Sequence, residues 1–293
     1  MYTSKRGGNK KNKTKRHINC FANIKHRYGS CFTEEHLNTL KQLWNSRHPD
    51  KRIVSRKPEV IHKKISNYLS GVCNDELCWI ENHFTEPKVQ QAIKKQAFAP
   101  IAQSSWKFEP NKWLDSHDIS NVMRQYEEAN KKFCFIGPSP IDFDAKPDNK
   151  TCVWEDLCNL DISKKYQEGY RKIGMIFNLD PHYKGGSHWV SLFVDLEKNF
   201  IFFLDTNGVE IPSEINVLKN RIKKQCKEEL HKKMRFTDNS PTVHQHEDTE
   251  CGVYSLYAVV KLLKEEVTPR QIKNKRIPDE KMYDYRKIFY THV

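Results

Sequence analysis

The sequence predicts an α+β domain preceded by a small helical one, on three observations. After residue 170 three apolar runs of strand length follow one another, Ile173 to Leu179, Trp189 to Leu196 and Phe200 to Leu204. The stretch Gly252 to Leu263 is apolar nearly all round, which a helix tolerates only when most of its surface is packed inside a domain. In the first third of the chain, by contrast, the apolar residues fall on single helical stripes. At 293 residues the chain can bury a sizeable core with an appendage beside it.

Taken in order, residues 1 to 29 predict a disordered basic tail: Lys5, Arg6, Lys10, Lys11, Lys13, Lys15 and Arg16 stand among Gly and Asn with no acid before residue 17 and no apolar face to bury. A helical N-terminal domain spans 30 to 100. Thr33 can cap a helix whose first turn carries Glu34 and Glu35 and whose stripe is Leu37, Leu40, Leu43 and Trp44. A second helix follows Pro58, with Ile61, Ile65, Tyr68 and Leu69 on one face. The α+β domain covers 101 to 293. Trp113-Leu114-Asp115 leads into a helix carrying Ile119, Val122 and Met123, capped by Ser116 or Asp118, and Pro138 and Pro140 mark an extended loop. Glu197 to Asn199 divide two strand runs and predict a hairpin. From Pro212 a long amphipathic helix buries Ile215, Leu218, Ile222, Cys226 and Leu230, with its Lys and Glu residues forming a solvated outer face.

The net charge of +13 favours polyanions as partners of the tail. Nine cysteines without regular spacing, and no stretch resembling a signal peptide or a membrane span, predict free thiols in a reducing, intracellular setting. Cys73 and Cys78, and Cys152 and Cys158, are separated by four and five residues, wider than a two-residue zinc knuckle, so no structural zinc is expected.

One ordered set of residues carries chemistry. Cys251 lies where the polar loop His244 to Glu250 enters the buried helix, so its sulfur would sit in the field of a helix N-terminus, and Gly252 lets backbone approach closely behind it. His188 opens one strand and Asp205 closes the next; a hairpin about residues 197 to 199 brings both to the same open end, where the carboxylate can fix the imidazole tautomer. Gln245 precedes Cys251 with five residues between, so its amide and the Cys251 backbone N–H can both face a developing oxyanion. Singly these are ordinary features: a buried cysteine, a strand-end histidine, a turn aspartate, a loop glutamine.

Together, His-Trp, then Asp at a strand end, then Gln with five residues between it and Cys-Gly, resemble the Ulp1-like, adenain-related cysteine proteases, over residues 105 to 290 and most tightly over 171 to 262. Within that group the chain is most similar to the thiol proteases of nucleocytoplasmic large DNA viruses, of the African swine fever virus polyprotein protease and giant-virus type. The resemblance implies a papain-type core, a central mixed sheet flanked by helices with the nucleophile starting a buried helix. It implies Cys251 as nucleophile, His188 as base, Asp205 as its orienting partner and Gln245 as oxyanion donor, with no cofactor. Trp113 and Trp189 match the tryptophans that wall the family's channel for a Gly-Gly tail. Asp205 departs from the Asn of some viral members, and either side chain can orient an imidazole.

The resemblance implies a cysteine endopeptidase that hydrolyses viral structural precursor proteins after Gly, located in the virion or the infected host-cell cytoplasm. Two alternatives stay open: an isopeptidase acting on SUMO or another ubiquitin-like modifier, and a polyanion-binding protein with an inactive protease-like core. The tail favours DNA or another polyanion as an accessory partner, although no helix-turn-helix, zinc-finger or RNA-binding signature is present.

Overall fold

The computed structural model describes residues 18–26, 28–84 and 86–291. Among these, Lys25–Ala97 form one compact unit, and Asn19–Ile24 together with Phe98–Thr291 form another. The basic run before residue 18, on which the expected disorder and polyanion binding rest, lies outside the described residues.

The first unit is helical: α1 (Glu34–Arg47), α2 (Pro58–Leu69), α3 (Glu76–Asn82) and α4 (Pro87–Ala97). Thr33 caps α1 in a reciprocal box, its hydroxyl accepting from His36 N–H while the His36 ring accepts from Thr33 N–H. Leu37, Leu40 and Trp44 of α1 and Ile61, Ile65 and Leu69 of α2 are buried, and the Trp44 ring stacks on Tyr68. The 3.6-residue stripes of both helices therefore specify one another.

The second unit is a five-stranded mixed sheet in the order β1 (Phe133–Pro140), β2 (Lys172–Asn178), β3 (Trp189–Asp195), β4 (Phe200–Leu204) and β5 (Arg235–Asp238). The outer pairs β1–β2 and β4–β5 are parallel, and the inner pairs are antiparallel. Helices cover both faces, which is why the inner strands read as unbroken apolar runs. Ile173, Met175, Val190, Leu192, Ile201 and Phe203 turn to one face, against Ile215, Leu218 and Ile222 of α8 (Ser213–Glu229). Ile176, Phe193, Phe202 and Leu204 turn to the other, where α9 (Cys251–Leu263) is buried between the sheet and the helices α5 (Ser116–Ala129) and α11 (Asp279–Phe289). Gly174 permits that approach: a Cβ there would stand 2.7 Å from Val259 Cγ1. Short helices α6 (Glu155–Cys158), α7 (Ile162–Gln167) and α10 (Pro269–Asn274) complete the unit. No described helix is long and apolar enough to cross a membrane.

Several expectations are corrected. Pro138 and Pro140 lie in strand β1 rather than in a loop; β1 is an edge strand, where a missing N–H can face outward, and its register shifts between Ile136 and Ser139. The cap of α5 is Asp115, not Ser116 or Asp118: its carboxylate accepts from Asp118 N–H, and Asp118 returns the bond to Asp115 N–H. Residues 19–24 are no part of a tail, because Cys20 pairs with Phe98, and Asn19, Cys20 and Ala22 are buried. Nor are the thiols all free. Cys73–Cys78 and Cys152–Cys158 are disulfides, since each short loop folds back to bring the Cα atoms to 5.6 and 6.3 Å. Cys134, Cys226 and Cys251 keep free thiols.

Candidate active site

The β3–β4 hairpin sets the first half of the site. Its turn is tied by Asp195, whose carboxylate accepts from the N–H groups of Glu197 and Lys198, and the ladder pairs Ser191 with Leu204. Just beyond the open end of that ladder His188 Nε2 meets Asp205 Oδ1 at 2.8 Å. The Asp205 carboxylate is itself held, since Oδ1 also accepts from Asn207 N–H at 2.9 Å. Its backbone is clamped by Asn239, wholly buried just after β5: Oδ1 accepts from Asp205 N–H and Nδ2 donates to Asp205 C=O. A carboxylate fixed on both sides dictates the imidazole's tautomer and plane.

Beside Asp205, the His188 ring has Cys251 as a second interacting side chain. Cys251 is the first residue of α9 and is 2 % exposed. The 13-residue helix directs its positive end at this sulfur. Burial opposes charging of His188, but the bond to Asp205 and the contact with Cys251 outweigh it and push its pKa up to about 9. At neutral pH the ring therefore holds its proton. Burial pushes the Cys134 and Cys226 thiols up to about 11, so neither supplies thiolate near neutrality.

Leu114, bonded to the Trp189 ring and next to Trp113 in the chain, stands against the start of α9. Gly252 is a necessity here, because a Cβ at that position would lie 3.0 Å from Leu114 Cβ. Leu114 C=O accepts from Trp189 Nε1 at 2.9 Å, which pins the largely buried Trp189 ring beside that contact. Trp113 stays 46 % exposed, and both rings line a cleft of about 660 Å³ shared with Pro138, Asn178, Gly186 and Trp154. Gln245 is held at the same end of the hairpin: Thr206 Oγ1 donates to its Oε1 at 2.9 Å, Thr206 C=O accepts from its N–H, and its Nε2 donates to Glu247 C=O.

The structure thus brings His188, Asp205 and Cys251 into one chain of contacts, keeps Gln245 beside it on Thr206, and sets Trp113 and Trp189 along the adjoining cleft. The sequence reading missed Asn239, Thr206 and the buried pair Glu250–Arg286. Asn239 follows a strand too short and polar to be recognised, and only the acid directly before Cys251 hinted at the pair. Among the described residues no group of three or more His, Cys, Asp or Glu is placed to hold a metal.

This geometry agrees with what the chain is similar to. A family model described as the Ulp1 protease family, C-terminal catalytic domain, matches residues 171–293. The cysteine protease of African swine fever virus (isolate Tick/Malawi/Lil 20-1/1983) is 30% identical over 286 residues, covering 88% of this chain and 98% of that protein. A thiol protease of Acanthamoeba polyphaga mimivirus is 29% identical over 206 residues, covering 69% of this chain and 64% of that protein's length. The crystal structure of the African swine fever virus protease shares the fold, with a TM-score of 0.66 at 20% identity over 94% of this chain and 96% of that one. An α+β core with a cysteine at the head of its buried helix, and relatives named as cysteine and thiol proteases, lead to one conclusion: this chain belongs to the Ulp1 family of cysteine proteases.

Proposed function

We propose that this chain is an endopeptidase in which Cys251 attacks a peptide carbonyl after Gly. The observation that carries the reading is the chain of contacts from Asp205 through His188 to Cys251. In the proposed cycle the Cys251 thiolate adds to the carbonyl carbon, and the Cys251 N–H and the Gln245 amide stabilise the oxyanion. His188 gives its proton to the leaving amine as the C–N bond breaks. It then takes a proton from the water that hydrolyses the thioester, and the thiolate is restored. For the second donor, Gln245 Nε2 keeps one N–H beyond the one given to Glu247 C=O.

The preference for Gly draws on the site's walls. An approach pinned between Trp189 and Leu114, with the exposed Trp113 ring beside it, suits a substrate segment lacking side chains. Viral structural precursors are the proposed substrates, because relatives covering most of this chain are proteins of African swine fever virus. The proposed setting is the virion or the infected cell.

A second reading keeps the chemistry and changes the substrate to the C-terminal tail of a ubiquitin-like modifier. It is favoured by a relative from African swine fever virus (isolate Pig/Kenya/KEN-50/1950) named a SUMO-1 cysteine protease. The test incubates the protein and its Cys251→Ala variant with fluorogenic Gly-Gly peptides and with ubiquitin-like modifiers bearing a C-terminal reporter. Release from peptides that disappears in Cys251→Ala is the expected outcome. Preferential release from a modifier establishes the second reading, and release undiminished in Cys251→Ala overturns both.

A further inference from the structure

Glu250 stands directly before the sulfur-bearing residue, yet its side chain turns away from the cleft. As the residue preceding α9 it could cap that helix, but its carboxylate accepts from none of the helix's free N–H groups. Instead it is wholly buried and receives Arg286 of α11: Nε donates to Oε2 at 3.1 Å, and Nη2 donates to Oε1 at 2.9 Å and Oε2 at 3.0 Å. Arg286 is 1 % exposed, with its guanidinium carbon 4.6 Å from the centre of the Trp106 ring. Trp106 is wedged in turn against Tyr290, their ring centres 4.9 Å apart.

Packing alone does not account for this pair. Desolvating two ions offsets much of their attraction, and an apolar pair of equal volume would hold two helices together at least as well. What a two-pronged ion pair adds is direction. The Glu250 carbonyl accepts from Tyr254 N–H at 2.9 Å, so the plane of the Glu250–Cys251 peptide is set along the helix axis. In a planar trans peptide the N–H points opposite to the C=O. The Cys251 N–H accordingly leaves the helix at its N-terminal end.

We infer that the Glu250–Arg286 pair is a positioning device that holds the Glu250–Cys251 peptide at the angle required for the Cys251 N–H to receive the oxyanion. The inference rests on the proposed role of Cys251 as nucleophile. Both members touch neither the sulfur nor the cleft, so they act through the peptide they hold.

The test separates aiming of the N–H from supply of the thiolate. Iodoacetamide alkylates a thiolate without generating an oxyanion, whereas peptide hydrolysis needs both. Wild type, Glu250→Gln and Arg286→Lys are compared by kcat and KM on a peptide that wild type cleaves, and by the alkylation rate of Cys251. For Glu250→Gln the expected result is a fall in kcat of about 10²–10³-fold, the size seen when one oxyanion donor is lost. KM should stay within about threefold and alkylation within about twofold of wild type. Arg286→Lys keeps the charge but not the fork and should show a smaller fall in kcat of the same pattern; it decides the matter if Glu250→Gln fails to fold. Unchanged kcat in the folded variants overturns the inference, and so does alkylation that falls in step with kcat, since that reports general displacement of the helix start. Wild type that cleaves nothing while its variants alkylate normally marks failure of the protease reading itself, and the inference falls with it.

Discussion

His188 has two partners: its Nε2 is anchored on Asp205, and the ring also interacts with Cys251. Two predictions belong to this scale. Because the environment raises its pKa to about 9, the ring holds its proton through neutrality and loses it as pH rises through that value. The kcat/KM profile should therefore fall on its alkaline side near pH 9 rather than near 6.5, as read from initial rates between pH 5 and 10.5. A limb near 6.5 would mean that Asp205 and Cys251 do not govern the ring. Replacing Asp205 by Ala frees the imidazole to rotate and change tautomer, and should lower kcat by about 10²–10⁴-fold while leaving a measurable remnant. Loss of all activity in a folded Asp205→Ala variant would assign the carboxylate more than an orienting role.

At the level of elements, the site depends on α9 meeting the Trp113-Leu114 segment at van der Waals distance. Gly252→Ala places a methyl group 3.0 Å from Leu114 Cβ, and overpacking of this kind typically costs about 1–3 kcal/mol. It should lower the unfolding midpoint in urea and reduce kcat as the wall beside Cys251 shifts; an unchanged midpoint would show that the contact yields freely. The elements also explain what could be read in advance. Strands β2, β3 and β4 and helices α8 and α9 were legible because burial on two faces, or all round, leaves an unbroken apolar signature. Strands β1 and β5 were not, since an edge strand tolerates Pro138 and Pro140 at one margin and the polar run Arg235 to Asp238 at the other. His188, Asp205 and Cys251 were legible from order and strand position. Asn239, Thr206 and Arg286 were not, because their bonds to Asp205, Gln245 and Glu250 are long-range ones that no local pattern encodes.

For the whole molecule, the net charge carries the polyanion-binding expectation. The seven cations before residue 17 stand without a compensating acid, against a net charge of +13 for the chain. Deleting residues 1–17 should leave peptide hydrolysis unchanged and weaken binding to a short DNA duplex. The slope of log affinity against log salt should flatten by about 0.9 for each phosphate contact removed. Equal affinity and equal slope before and after deletion would place polyanion binding elsewhere on the surface. Limiting the deletion to residue 17 matters, because Asn19 N–H donates to Thr291 Oγ1 and Cys20 pairs with Phe98 inside the second unit.

That small seam has a topological consequence. Ala99 N–H donates to Asn19 C=O and Cys20 pairs with Phe98, so the chain leaves the protease unit after Ile24, four residues beyond a residue paired with the point where it re-enters. Residues 25–97 are thus threaded into the protease as a cassette between two neighbouring positions, an arrangement in which a module can be gained, exchanged or lost with little disturbance to the host. A short Gly-Ser bridge from Ile24 to Phe98 would reconnect the host, and the helical cassette could diverge at its own evolutionary pace while the chemistry stayed fixed.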